Sequence, residues 1–183
     1  AEQDNTVQSV SRAEDEAALR NVRKQLEAYH SGAKQGAVEL AWPYLRHEDR
    51  FIRYAARIVL EHQPVAEWQS QALNEKDPQT LIQAAIALAR HGKPALRHSL
   101  LNALMGINFA QLTETQQIDL LRAMELVILR MGAPEGALKD RLANHLNPYY
   151  PAKSNSLNRS LSKLLVYLEA PGVVEKTLAL LET

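Results

Sequence analysis

The sequence predicts an all-α fold, an α-solenoid of about four antiparallel helix pairs, and three observations lead to this prediction. Good helix formers fill the chain, whereas aromatic residues make up only 5% of it. Apolar residues recur at steps of three and four, and no segment shows the apolar and polar alternation of a strand. Prolines that end helical segments recur at intervals of 30, 40 and 37 residues, at Pro64, Pro94, Pro134 and Pro171. Such a period is typical of stacked helical hairpins.

The length and composition favour one folded domain. A chain of 183 residues with 46% apolar residues is large enough for one core, and its 23% of charged residues is ordinary for a globular protein. Residues 1–10 are polar and without pattern, so we expect a flexible tail there. We expect residues 11–183 to form the helical repeat domain.

The first helices are marked by a cap and a proline. Ser11–Glu14 fits a capping box, and the apolar stripe that follows ends at Gly32, which tolerates a left-handed backbone. A second helix is expected from about Gln35 to Arg46. Pro43 lies inside it and should kink the axis, because proline lacks an N–H and its ring clashes with the preceding turn.

The later helices show similar signals. Asp77-Pro78 reads as an N-cap followed by proline at the first helical position, and Thr113–Gln116 as a second capping box. The helix after Thr113–Gln116 is apolar nearly all round, so it should be buried on more than one side. Pro134 should begin the next helix. A proline-interrupted loop at Asn147–Asn155 precedes two more leucine-rich helices.

One segment of the chain resembles the HEAT-repeat family. In that family a proline kinks the first helix of each pair, an aspartate caps the turn, and an Ile-Arg or Val-Arg pair opens the second helix. Pro43, Asp49, Ile52 and Arg53 match these positions. The later units keep an Ala- and Leu-rich second helix but lack the aspartate and the Ile-Arg pair. The resemblance implies that second helices line a concave surface.

Three stretches together resemble the helical-repeat segment of large exported bacterial multidomain proteins. They are residues 49–57, 157–159 and 165–171. This resemblance implies a periplasmic or extracellular location and a segment excised from a longer polypeptide. It carries no catalytic activity with it.

Charge and residue usage exclude several functions. The 21 basic and 21 acidic residues cancel, so there is no net field to attract nucleic acid, and there is no cysteine. The six histidines do not form a recognisable metal motif, and neither a nucleophile elbow nor a phosphate-binding glycine loop occurs. No apolar stretch is long enough to cross a membrane. We therefore predict no enzyme activity, no cofactor, no metal site and no small-molecule substrate.

The candidate partner-binding residues fall into two groups. Basic and aromatic residues of the second helices could form a discontinuous ridge for an acidic partner, namely Arg50, Tyr54, Arg57, Arg122, Arg159 and Lys163. The alternative is ordinary solvated charge, with Arg53 in a structural role. Tyr149 and Tyr150 could contact a partner from a stiffened loop. Alternatively, one tyrosine packs back over a helix end.

These observations favour a non-catalytic interaction or scaffold module whose partner is a protein or a neighbouring domain of the same polypeptide. Two alternatives stay open. The chain could be an accessory domain that shapes the cleft of a catalytic neighbour, or a helical repeat that binds nucleic acid. The second alternative needs a one-sided basic groove despite the zero net charge.

Overall fold

The computed structural model describes residues 16–181. The predicted tail, residues 1–10, and the capping box at Ser11–Glu14 lie outside the described residues. The chain divides into two compact units between Trp68 and Gln69. Residues 16–181 contain helices and connecting loops and no strand, which confirms the all-α prediction. None of the helices within this range is long and apolar enough to cross a membrane.

The first unit is built from three α-helices and one 3-10 helix. They are α1 (16–27), α2 (Ala37–Ala41), the 3-10 helix Trp42–Arg46 and α3 (Arg50–Glu61). Helix α3 begins where Asp49 caps it, because an Asp49 carboxylate oxygen accepts hydrogen bonds from the N–H groups of Phe51 at 2.6 Å and Ile52 at 3.3 Å. The next helix, α4 (Val65–Asn74), spans the boundary between the units.

Pro43 changes the type of helix in place of the expected kink. The chain is α-helical up to Ala41 and continues as the 3-10 helix Trp42–Arg46, with Pro43 in its first turn. A helix start leaves its first N–H groups unpaired, so a residue without an N–H costs little there. The core of the unit lies where α2 and the 3-10 helix pack on α3. Its fully buried members include Leu26, Ala41, Leu45, Ala56, Val59 and Leu60.

The second unit continues with six α-helices. They are α5 (Pro78–His91), α6 (Arg97–Met105), α7 (Glu114–Met131), α8 (Gly136–Leu146), α9 (Asn155–Tyr167) and α10 (Val173–Leu181). Two predicted caps are confirmed. Asp77 accepts the Thr80 N–H at 2.8 Å, and Thr113 and Gln116 form a reciprocal capping box. Helix α8 begins at Gly136 and not at Pro134 as expected, because Glu135, the N-cap of α8, has an extended backbone.

Packing in the second unit joins helices that are two apart in the sequence. Helix α7 lies against both α5 and α9, and α6 lies against α8. Consecutive helices also pack on each other, α6 with α7 most extensively, and in addition α5 with α6, α8 with α9 and α9 with α10. Alternate helices thus form two layers, and the core lies between and within them.

The most deeply buried helix is α5. Every residue from Gln79 to Ala89 is buried, whereas α7, which the sequence indicates is buried on more than one side, exposes 72% of Leu129. Four alanines at positions 84, 85, 87 and 89 make α5 narrow enough to be surrounded. Helix α7 does contact α5, α6 and α9, so the prediction of burial on several sides is right for most of its length.

Candidate functional site

Three of the predicted binding residues lie together in a groove between α7 and α9. Arg122 lies on α7, and Arg159 and Lys163 lie one turn apart on α9. Two cavities of about 290 Å³ each open along these helices, and Arg122, Glu125 and Lys163 line both of them. We call this surface the α7–α9 groove and define it by Arg122, Glu125, Leu129, Arg159, Lys163 and Tyr167.

The two helices present their groove residues at helical spacing. The residues on α7 are three and four positions apart, and those on α9 are four apart, so each set lies along one face of its helix. Arg159 shares one cavity with Asp119, and Tyr167 shares the other with Leu129. The helices therefore run in the same direction, and the groove has a cationic end and an apolar end.

Glu125 lies between two of the cations and pairs with both. Lys163 Nζ forms an ion pair with one Glu125 carboxylate oxygen, and Arg122 Nη1 donates to the other at 2.5 Å. Burial opposes the ionisation of Glu125, but the hydrogen bonds from Lys163 and Arg122 outweigh it and hold the pKa of the carboxyl below its ordinary value. The carboxylate is therefore charged at neutral pH.

The acidic and basic side chains of the groove differ in solvent exposure. The Glu125 side chain is only 24% exposed, whereas those of Lys163 and Arg122 are 69% and 55% exposed. Arg159 is also exposed, and its guanidinium has no ion pair or hydrogen bond with the residues that the structure describes. Asp119 also lines the cavity beside Arg159 and is half-buried. The groove thus has three exposed cations and two less exposed carboxylates, and it presents mainly positive charge to solvent.

The other end of the groove is apolar. Leu129 and Tyr167 are 72% and 53% exposed, and the cavity beside them is floored by Ile128 and Leu164, which are buried. Contact of such large apolar side chains with water is unfavourable, so covering them lowers the free energy. This end of the groove can therefore gain stability by accepting an apolar side chain.

The other basic and aromatic candidates lie on α3, in the first unit. Tyr54 is 54% exposed, and the Arg57 guanidinium lies 5.0 Å from the centre of its ring. Arg57 also forms an ion pair with Glu61 at 3.2 Å, and its side chain is only 14% exposed. Its charge is therefore largely neutralised by Glu61. Arg50 stacks on Phe51 at 4.7 Å. Arg53 donates to the carbonyl oxygens of His47 and Glu48, in the turn that precedes α3.

The two tyrosines of the predicted contact loop are held by the protein itself. Tyr150 is 3% exposed, and its hydroxyl lies 2.8 Å from the Thr177 hydroxyl of α10. The Tyr149 ring packs against Phe109, with 4.5 Å between ring centres. Burial lowers the pKa of His145, whose ring lies edge-on to Tyr149. We therefore leave both tyrosines out of the binding surface.

Sequence reasoning missed Glu125, Leu129 and Tyr167. Leu129 stands in a helix so rich in apolar residues that its exposure leaves no periodic signal. Tyr167 stands one turn after Lys163, and that spacing could have placed the two on one face. Glu125 follows Arg122 by three positions, which is an ordinary intrahelical pair in the sequence.

No group of three or more histidine, aspartate or glutamate side chains that could hold a metal ion occurs in the part of the chain that the structure describes. No known protein family, no curated protein and no solved structure matches the chain.

Proposed function

We propose that the chain is a non-catalytic protein-binding module built of HEAT-like helix pairs that repeat as an α-solenoid. Its partner is another protein or a neighbouring domain of the same polypeptide. The observation that carries this proposal is the α7–α9 groove, where exposed apolar side chains adjoin exposed cations on two helices that occupy equivalent places in successive pairs.

The packing of the second unit supports the repeat. A solenoid places each second helix beside the second helices of the pairs before and after it. Helices α5, α7 and α9 pack in this order, and α6 packs on α8. This is the neighbour pattern expected when the pairs α6–α7 and α8–α9 follow α5 by a similar step.

Polar contacts within the pairs recur at a similar interval. Arg97 at the start of α6 donates to the carbonyl oxygen of Met131 at the end of α7. Lys139 near the start of α8 pairs with Glu169, just after α9. These partners are 34 and 30 residues apart and tie a first helix to the end of the second helix of its own pair. Similar links in two pairs support one repeating unit.

The groove suits a macromolecular partner better than a small molecule. Its two cavities are open to solvent and follow each other along one groove, whereas pockets for drug-sized molecules bury most of the ligand surface. Exposed cations beside exposed leucine and tyrosine side chains combine the polar rim and apolar anchor of protein interfaces.

An unbiased selection of peptides tests this function. The purified chain is used to select binders from a displayed random-peptide library, and each binder is then measured by fluorescence anisotropy. We expect enriched peptides that bind the folded chain and lose binding when the chain is thermally unfolded. A library of high diversity that yields no binder specific to the folded chain would contradict the proposal.

A further inference from the structure

We propose that the occupant of the α7–α9 groove is an acidic amphipathic helix, with one apolar side chain between Leu129 and Tyr167 and carboxylates at Arg159 and Lys163. This inference rests on the proposed function and names the chemistry of its partner. It also assigns Glu125 as a residue that sets specificity, because Glu125 competes with the partner's carboxylates for the same cations.

Charge complementarity favours an acidic partner. Lys163 and Arg122 project into solvent, while Glu125, which pairs with both, is largely covered. An approaching partner therefore meets cations first. Arg159, one turn before Lys163, has no ion pair within residues 16–181 and adds a cation that a carboxylate can pair with at no cost in existing contacts.

The apolar end fixes where the partner's anchor goes. Exposed Leu129 and Tyr167 line one cavity together with buried Ile128 and Leu164. A leucine or phenylalanine of the partner would cover both exposed side chains at once. Central apolar contacts of this kind carry most of the affinity of helix-in-groove complexes.

The distance between the two ends sets the spacing within the partner. Arg159 precedes Tyr167 by eight residues of α9, which corresponds to about 12 Å along the helix at about 1.5 Å per residue. A partner helix that lies along the groove spans the same distance in seven or eight residues of its own. Lys163 lies halfway between Arg159 and Tyr167, so we expect one carboxylate about one turn and a second about two turns away from the apolar anchor.

Designed peptides test this recognition directly. Helical peptides of about 15 residues carry one phenylalanine and two glutamates, about one and two turns away from it. They are made with the glutamates before and after the phenylalanine, because the direction of binding is open. Their binding to the folded chain is measured by fluorescence anisotropy at two salt concentrations. At least one orientation should bind, and its affinity should fall as salt rises. A lysine-for-glutamate version should bind more weakly.

Groove variants and matched controls locate the site. Leu129→Gln should weaken binding by about tenfold or more, and Arg159→Gln and Lys163→Gln by roughly three- to tenfold each. Glu125→Gln should strengthen binding of the acidic peptide, because it releases two cations. Arg130→Gln, an exposed cation of α7 outside both cavities, and Val174→Gln, an exposed apolar residue of α10, should leave the affinity unchanged.

Several results would overturn the inference. They are no binding by either glutamate peptide, tighter binding of the lysine peptide, groove variants that behave like the two controls, or a duplex DNA oligonucleotide that competes at the groove. The random-peptide selection keeps the two proposals apart. Selected peptides that bind the folded chain but ignore Leu129→Gln and Lys163→Gln would preserve the protein-binding function and refute this groove as its site.

Discussion

Replacement of Asp77 by alanine is expected to destabilise the second unit by about 2 to 4 kcal/mol. One Asp77 carboxylate oxygen accepts both the N–H and the hydroxyl of Thr80, each at 2.8 Å. Loss of an N-cap costs about 1 kcal/mol. The Thr80 side chain is 3% exposed, so its hydroxyl would lose its partner inside the protein at a further cost of about 1 to 3 kcal/mol.

Chemical denaturation of a set of variants measures this cost. Asp77→Asn keeps an acceptor oxygen and should cost less than about 1 kcal/mol. Thr80→Val removes the hydroxyl that Asp77→Ala would strand, so the double variant Asp77→Ala/Thr80→Val should be more stable than the sum of the two single changes implies. Equal losses for Asp77→Asn and Asp77→Ala, or strict additivity, would refute the reasoning from the shared carboxylate.

Three further predictions concern burial, backbone conformation and protonation. Leu120→Ala should lower the free energy of unfolding by about 2 to 5 kcal/mol, because Leu120 is fully buried. Leu129→Ala on the same helix should change it by less than about 0.5 kcal/mol, because Leu129 is 72% exposed. Equal effects of the two variants in urea denaturation would contradict the packing of α7. Gly132→Ala should cost more than Gly36→Ala. Gly36 has a left-handed backbone that other residues can adopt at some cost, whereas Gly132, with φ 98° and ψ 162°, lies in a region open almost only to glycine. Comparable melting temperatures would contradict this difference. Burial lowers the pKa of His145 below 6.5, so the unfolded chain binds the proton first and stability should fall as the pH drops through and below this value. His145→Gln should flatten that fall in denaturation midpoints between about pH 7.5 and about pH 5.5, and an unchanged slope would exclude His145 as its source.

Local signals in the sequence predicted helix starts well. Asp77 and Thr113 act as caps as expected, because a cap depends on a side chain and the backbone only two or three residues away. Pro43 was harder, since a proline can kink a helix or sit where a 3-10 helix begins. The choice depends on how α2 and the 3-10 helix pack on α3, and that packing lies outside the local sequence.

Burial and the candidate site depended on contacts between distant residues. Tyrosine is a residue type typical of contact surfaces, yet the Tyr150 hydroxyl is paired with that of Thr177, 27 positions later. The burial of α5 on all sides likewise follows from its neighbours, although its alanines permit it. By contrast, the sequence already grouped Arg122, Arg159 and Lys163, and these three residues line one cavity because α7 and α9 pack on each other.

The groove also shows how a chain with zero net charge can present a positive surface. Net charge sums every ionised group equally, whereas an approaching partner responds most strongly to the groups that face it. Glu125 is covered and its two partners are exposed, so the pairs cancel in the sum but leave the cations outermost. The Glu125 carboxylate holds both cations in place, and it also weakens their attraction for the carboxylates of a partner. Such a surface favours a partner with a carboxylate and an apolar anchor in fixed positions over a polyanion, whose affinity grows only with the number of free cations.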